Sequence, residues 1–321
     1  MAVTLFEAAK LLGVDPLSQA VQMTIAQSSM ILQYLPFVLR GTGDTMQFDE
    51  HFSKEAAEAN FRGLNASFVE GLTDQDKMQF ALALLGDKAI VDVFMPNRDA
   101  VMNREVNEKS FGIAAKFNLE FIKGDRAVDP NGFNGLEVIM EKQVGGSQTL
   151  ITNTGGSFTA GGDALALDIL DEAIDAVRNP TAIFANANLI RQFSAAGRDS
   201  AVSGFVTHER NTFGNRVTFY NDLPLLPLKG AFNRDDILPY DEPAEDDAAA
   251  STTSLYIARL GEDGLYGAQK SNVNAVDFGR VSGESFHQTT IEWAPAVGLA
   301  HPLACARVRN ILNAAIKATS V

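Results

Sequence analysis

The chain has 321 residues, 46% of them hydrophobic, which is ample for a sizeable core and too many for one small domain, so two substructures are expected. Its 40 acidic against 26 basic residues give a formal net charge of −14, a balance that repels nucleic acid and excludes a sequence-specific DNA reader. No apolar run reaches the ~18–20 residues of a bilayer span, and Met1-Ala-Val-Thr-Leu-Phe-Glu7 has neither the basic start nor the cleavage site of a signal peptide, so the chain is expected to stay cytosolic with no membrane partner.

Residues 1–36 read as an arm. Leu5 to Leu12 makes two helical turns, Gly13 and Pro16 interrupt them, and Leu17 to Leu35 carries scattered apolar residues (Val21, Ile25, Met30, Ile31, Leu32) between Gln, Ser and Thr. That is too little surface for a core, so the segment either docks on its own chain or reaches a neighbour. Residues 37–75 read as a long hairpin-like excursion: Phe37 to Arg40 breaks at Gly41-Thr-Gly-Asp44, Met46 to Asp49 leads to a polar tip around His51, Lys54, Glu55 and Glu58, and Asn60 to Val69 returns. A loop of that length is either an intersubunit contact or a disordered surface loop.

An apolar strand, Lys88 to Phe94, precedes the stretch around which the chain is organised. Residues 97–124 predict one long helix, with Pro96 before it and Gly124 after it. Met102, Val106, Ile113, Phe117 and Phe121 recur on one stripe beside Ala114, while Arg104, Glu105, Glu108, Lys109, Lys116 and Glu120 lie around the rest. At about 1.5 Å per residue this spine is roughly 40 Å long. Asp129-Pro-Asn-Gly-Phe-Asn-Gly-Leu136 then marks a tight turn.

Asn134 to Lys142 is apolar-rich and is followed by Gly145, Gly146 and the run Asn153 to Gly162. That run has neither G-x-G-x-x-G spacing nor a closing Lys-Ser or Lys-Thr, so it reads as a flexible loop rather than a phosphate cradle. Asp163 is expected to cap a helix over Ala164–Arg178, with Leu167, Leu170, Ile174 and Val177 inward. Thr181 to Ala185 is a short buried strand, Asn186 caps a second helix through Ala196, and Gly197 ends it, which indicates an α/β layer. Gly204–Arg210 and Arg216–Tyr220 form a hairpin, and Asp235 to Asp247, with seven acids and Pro239 and Pro243, excludes regular structure. Ser254–Leu260 and Leu265–Ala268 form a further hairpin across Gly261-Glu-Asp-Gly264. Val273–Phe278 and Ser285–Trp293 are strands, and Pro302 to Ala315 is helix-compatible.

Chemistry is sparse in this pattern. His51, His208, His287 and His301 lack ligand spacing, no G-x-S-x-G elbow occurs, and the lone Cys305 among Leu303, Ala304 and Ala306 reads as a small core residue that excludes an internal disulfide. The many carboxylates form no distinct acid and base pair. No catalytic, cofactor-binding or metal residue is expected, and no cofactor.

The order of these pieces resembles the Hong Kong 97-type major capsid protein of tailed bacteriophages. The resemblance is carried by Leu84 to Val93, Asn131 to Leu136 directly after the spine, Leu167 to Val177 running into Asn179-Pro-Thr-Ala-Ile-Phe184, Gly214 to Pro224, Ile291-Glu-Trp293 and His301-Pro302. It implies an α+β Hong Kong 97-like capsid fold: an N-terminal arm (1–36), an extended hairpin loop (37–75), a peripheral domain with the spine helix 97–124 (76–130, returning at 251–321) and an axial domain (131–250). It further implies a non-enzymatic subunit that self-assembles as hexamers and pentamers into an icosahedral head shell of a virion, made in the host bacterial cytoplasm. Implied partners are a separate scaffold protein, a portal, a decoration protein and packaged double-stranded DNA bound without sequence specificity, for which an acidic inner surface would be suited. Some relatives cross-link a loop Lys to a neighbour's Asn; Lys54 is the loop lysine here, and no matching motif accompanies it. An encapsulin-like compartment shares the fold, and a soluble enzyme of another class is the remaining alternative.

Overall fold

The computed structural model describes residues 3–11, 15–41, 45–53, 61–62, 64–68, 75–144, 149–153, 161–198, 204–211, 214–229, 237–244 and 250–319. The chain opens with β1 (Val3–Thr4), helices α1 (Leu5–Leu11), α2 (Pro16–Ser28) and α3 (Met30–Tyr34), and β2 (Pro36–Leu39). β3 (Gln47–Ser53) and β4 (Gln75–Ala81) pair as a hairpin stem, β5 (Leu85–Asp92) leads into the spine α4 (Arg98–Lys123), and α5 (Leu136–Val138) continues as a π-helical segment, Ile139–Val144. The middle of the chain contributes β6 (Leu150–Thr152), α6 (Leu167–Ala176), β7 (Ala182–Ala185), α7 (Ala187–Ala196), β8 (Val206–Arg210), β9 (Arg216–Tyr220) and β10 (Leu223–Pro227). The return consists of β11 (Glu242–Pro243), β12 (Ala250–Ala258), β13 (Leu265–Gln269), β14 (Asn274–Arg280), β15 (Phe286–Trp293), β16 (Pro295–Leu299), a 3₁₀ turn at Pro302–Ala304 and β17 (Cys305–Leu312).

The spine buries its expected stripe, with Val106, Ile113, Ala114, Phe117 and Phe121 inside, while Lys116–Glu120 and Arg104–Glu108 make i,i+4 ion pairs on the wet side. Phe117 is the junction of the core. Its ring lies 5.0 Å from Trp293, 5.7 Å from Phe133 and 5.9 Å from Phe37, so β15, the turn after the spine and β2 all meet on one side chain. The described residues of the N-terminal arm, 3–11 and 15–36, dock on this core. Leu5, Ile25, Leu32 and Leu35 are fully buried, Ser29 Oγ donates to Asn118 Oδ1 of the spine at 2.9 Å, and Ser18 Oγ both donates to Ala275 O and accepts from its N–H. Surface too small to form a core alone completes one with the spine.

A three-stranded antiparallel sheet, β14-β15-β5, lies on the same helix, its Thr289, Ile291 and Trp293 inward as the alternation predicts. A second sheet, β1-β2-β13-β16, flanks it. The third, β6-β17-β12-β7-β10-β9-β8 with β11 beside β12, carries α6 and α7 over a separate core that includes Leu170, Leu189, Phe193, Ile257 and Val308. Asn186 caps α7 by accepting from Asn188 N–H, and β8 and β9 pair as the expected hairpin.

Several local readings yield to long-range pairing. Residues 305–312 form a strand rather than part of a helix, because they pair with β12 on one side and β6 on the other, and two ladders outweigh a weak helical spacing. The turn at Gly261–Gly264 forms, yet its flanking strands part: β12 joins β7 and β17, while β13 joins β16 and β2. The returning segment therefore serves both cores, and β12 and β17 are inner strands of the sheet under α6 and α7. Asp163 does not cap α6, which starts at Leu167; residues 163 and 166 bridge to Ile311 and Lys317, and the Asp163 carboxylate takes Lys317 Nζ at 2.8 Å. Phe37 and Val38 are buried in β2, so the hairpin excursion starts only after Thr45. Within the acid-rich stretch Glu242–Pro243 pairs with β12. The loop positions Lys54, Glu55 and Glu58, the glycine run 154–160, and Asp235, Asp236 and residues 245–247 lie outside the described residues.

Gly267 of β13 sits beneath the Phe37 ring, where a Cβ would come within 2.3 Å of it. Since Phe37 is held by Phe117 and Trp293, Gly267→Ala is expected to destabilise the chain by about 1–3 kcal/mol in urea unfolding. An unchanged midpoint would show the ring to be free to move.

Candidate assembly surfaces

The root of the hairpin is clamped to the body. Phe48, Glu50 and Phe52 of β3 share a face with Met78 and Phe80 of β4; Phe48 stacks on Phe80 at 5.4 Å and Phe52 meets the His301 ring at 5.8 Å. Between these apolar contacts Glu50 accepts a short hydrogen bond from the Tyr266 hydroxyl and pairs with Arg40 Nη2 at 3.0 Å. Burial and the Glu50 carboxylate push the Tyr266 phenol far above its ordinary range, so it stays a donor. The opposite face, with Gln47, Asp49, His51, Lys77 and Gln79, is exposed.

Beyond this stem the chain leaves large apolar side chains in water. Phe61 and Leu64 are essentially fully exposed and Phe68 is 69% exposed, with the Arg62 guanidinium, 5.0 Å over the Phe68 ring, as its cover among the described residues. A second set belongs to the outer face and ends of the spine sheet: Ile90 and Val276 in its middle, Phe278 at the β14 bulge, and Leu84 (80%) and Phe94 (90%) flanking β5. Scattered single residues of this kind are ordinary, but two groups of large side chains are what an assembling surface presents.

Buried charge is concentrated at Arg307 in β17, which is 3% exposed. Its guanidinium reaches Glu141 Oε1 at 2.6 Å, Glu242 Oε2 at 3.3 Å and Glu137 Oε1 at 3.4 Å; its Nε donates to Ser254 Oγ at 3.1 Å, and it lies over the Tyr256 ring. Ser254 in turn donates to Glu242. One arginine thereby joins the end of α5 and its π-helical continuation, β11 and β12. Burial pushes the Glu137 carboxyl up against the pull of Arg307. Sequence reading missed this group, although an arginine inside the apolar run Leu303 to Val308 is itself a signal, since an arginine inside a strand buried on both faces needs partners.

The histidines stay apart. His51 is on the exposed face of β3, His287 Nε2 is 3.1 Å from Arg98 Nη1, His301 Nδ1 accepts from Leu303 N–H to cap the 3₁₀ turn, and His208 lies on β8. Among the described residues no group of three or more His, Cys, Asp or Glu could hold a metal ion. Cys305 is buried, and burial lifts its thiol to about 12, far from a nucleophile's range. No helix is long and apolar enough to cross a membrane among the described residues.

Solved structures share this arrangement of a spine helix on a three-stranded sheet, a second α/β layer and a clamped hairpin stem. The SrpI encapsulin of Synechococcus elongatus PCC 7942 is 13% identical and superposes with a TM-score of 0.57, covering 88% of this chain and 87% of its own. The capsid of an empty GTA particle is 12% identical at 0.56, covering 88% and 90%, and a chain from Mycobacterium phage Bobi is 12% identical at 0.52, covering 87% and 89%. No curated protein sequence matches the chain. Residues 91–222, from the end of β5 through the spine to the turn after β9, match the family model of the SU10 major capsid protein. Over that stretch the chain is similar to a phage major capsid protein, and its fold is the one these solved capsid structures share.

Replacing Arg307 with Met strands Glu242 in the interior, and a loss of about 3–5 kcal/mol in unfolding free energy is expected; a neutral result would show the cluster to be hydrated. Because the Glu137 carboxyl is raised from 4.5, the folded chain binds more protons than the unfolded chain just above that pH, and stability falls as pH rises through the window. Glu137→Gln should flatten that fall in unfolding measured from pH 4 to 7 (a range chosen as roughly that window), whereas parallel curves would rule the proposed proton linkage out.

Proposed function

We infer that this chain is the repeating subunit of an icosahedral head shell, arranged in hexamers and pentamers around double-stranded DNA. The observation that carries the reading is the hairpin: a stem clamped through Glu50 and Tyr266 presents Phe61, Leu64 and Phe68 to water, an arrangement that is unfavourable in a monomer and favourable when a neighbour covers it. In this reading the spine with its two small sheets is the peripheral domain, and 131–250, completed by β12 and β17, is the axial domain. The role is structural rather than catalytic, which suits a core whose one cysteine is buried and whose buried carboxylate, Glu242, is held by Arg307. A separate scaffold protein, a portal and a decoration protein are the expected partners, with assembly in the bacterial cytoplasm and the virion as destination.

The fold shared with the SrpI encapsulin supports a second reading, a protein compartment, and the packaged content separates the two. Sedimentation velocity and negative-stain microscopy of the full chain, alone and with a candidate scaffold, should show shells or rings of five or six. Phe61→Asp, Leu64→Asp and Phe68→Asp together should leave thermal unfolding of the subunit within about 1 kcal/mol, as befits exposed positions, and abolish the assemblies. Assemblies that persist in the triple variant would remove the hairpin from the interface.

A further inference from the structure

On a chain of net charge −14, one groove is basic. Arg191 and Arg198, seven residues apart and so on the same side of α7 and its C-terminal end, face Arg216 of β9 across an open cleft of about 440 Å³ that His208, Ser194 and Thr218 also line. The end of α7 abuts β8 closely, since a Cβ on Gly197 would lie 3.0 Å from Val206 Cβ, and this close packing brings helix and strand cations to one place. No carboxylate lines the cleft, and none of the three arginines makes an ion pair among the described residues. Arg40, Arg98, Arg104, Arg259 and Arg307, by contrast, each pair with an acid. Burial and the neighbouring Arg216 both lower the His208 pKa, so the ring adds a neutral donor and acceptor beside the fixed charges.

We propose that this groove binds phosphate groups, either of a free oligophosphate or of a nucleic-acid backbone. Three arginines lining one cleft favour a ligand that brings several negative charges. A carboxylate supplies one charge and two oxygens, so an acidic peptide would need several side chains to converge there. An oligophosphate supplies several charges and many oxygens in one compact group, and a nucleic-acid backbone, with one charge per diester, supplies them as closely spaced neighbours; guanidinium forks engage either in bidentate fashion, and Ser194 and Thr218 line the same cleft. The proposal is independent of the shell reading, because the cleft lies within one subunit.

Isothermal titration of the full chain with inorganic triphosphate, and separately with a short DNA duplex, at low ionic strength tests it. Arg191→Ala and Arg216→Ala should each weaken binding about tenfold, and the double variant about a hundredfold, while Arg104→Ala on the spine leaves it unchanged. The His208 ring resonance should move on binding in the wild type and in Arg104→Ala, and not in the double variant at the same ligand concentration. Binding of triphosphate that the double variant loses supports a free oligophosphate; binding of the duplex alone, lost in the same variant, supports the nucleic-acid backbone. Binding of either probe that survives the double substitution, or binding of neither by the wild type, overturns the proposal.

Discussion

Everything in this subunit depends on the apolar stripe of the spine, and within it on Phe117. A helix of 26 residues with one buried stripe needs cover along its whole length, and no single sheet here is long enough to supply it. The chain solves this by bringing three distant pieces to one ring: Phe37 from the N-terminal strand, Phe133 from the turn after the spine, and Trp293 from the spine sheet. The left-handed Asn97 before the helix and the tight return at Gly124, whose Cβ would collide with Phe133 O, fix where the spine starts and ends. A rigid rod results, with the remaining elements attached along it.

Much of this was legible in residue order because it depends on local period. The spine, the cap at Asn186, the β8–β9 hairpin and the alternation through Thr289, Ile291 and Trp293 each follow from spacing within one element. What escaped depends on partners far along the chain. Residues 305–312 carry a short apolar run that fits helix or strand equally, and only β12 and β6, roughly fifty and a hundred and fifty residues away, decide it. The same holds for the parting of β12 from β13, for the early helices whose apolar residues looked too sparse until the spine completed their core, and for Asp163, which prefers Lys317 to a capping role.

Of the assembly surface, the sequence revealed the existence of a long polar-tipped excursion but not its apolar exposure or its anchoring. Glu50, Arg40 and Tyr266 are unremarkable singly; their meeting across more than two hundred residues turns a loop root into a fixed lever. Net charge sharpens the point. Copies bearing −14 each repel one another, so contacts between them must be apolar or locally complementary. In the proposed shell the exposed Phe61, Leu64, Phe68, Leu84 and Phe94 would supply the first kind of contact.

Hydrogen–deuterium exchange of the full chain, compared between dissociated subunits and assembled particles, tests this account most directly. The spine and the strands around Phe117, β5 included, should be equally protected in both states, while the described loop residues 61–62 and 64–68 gain protection only on assembly. Protection of the hairpin already present in the dissociated subunit, or a spine that becomes protected only in particles, would contradict a pre-formed rod that carries an interface to its neighbours.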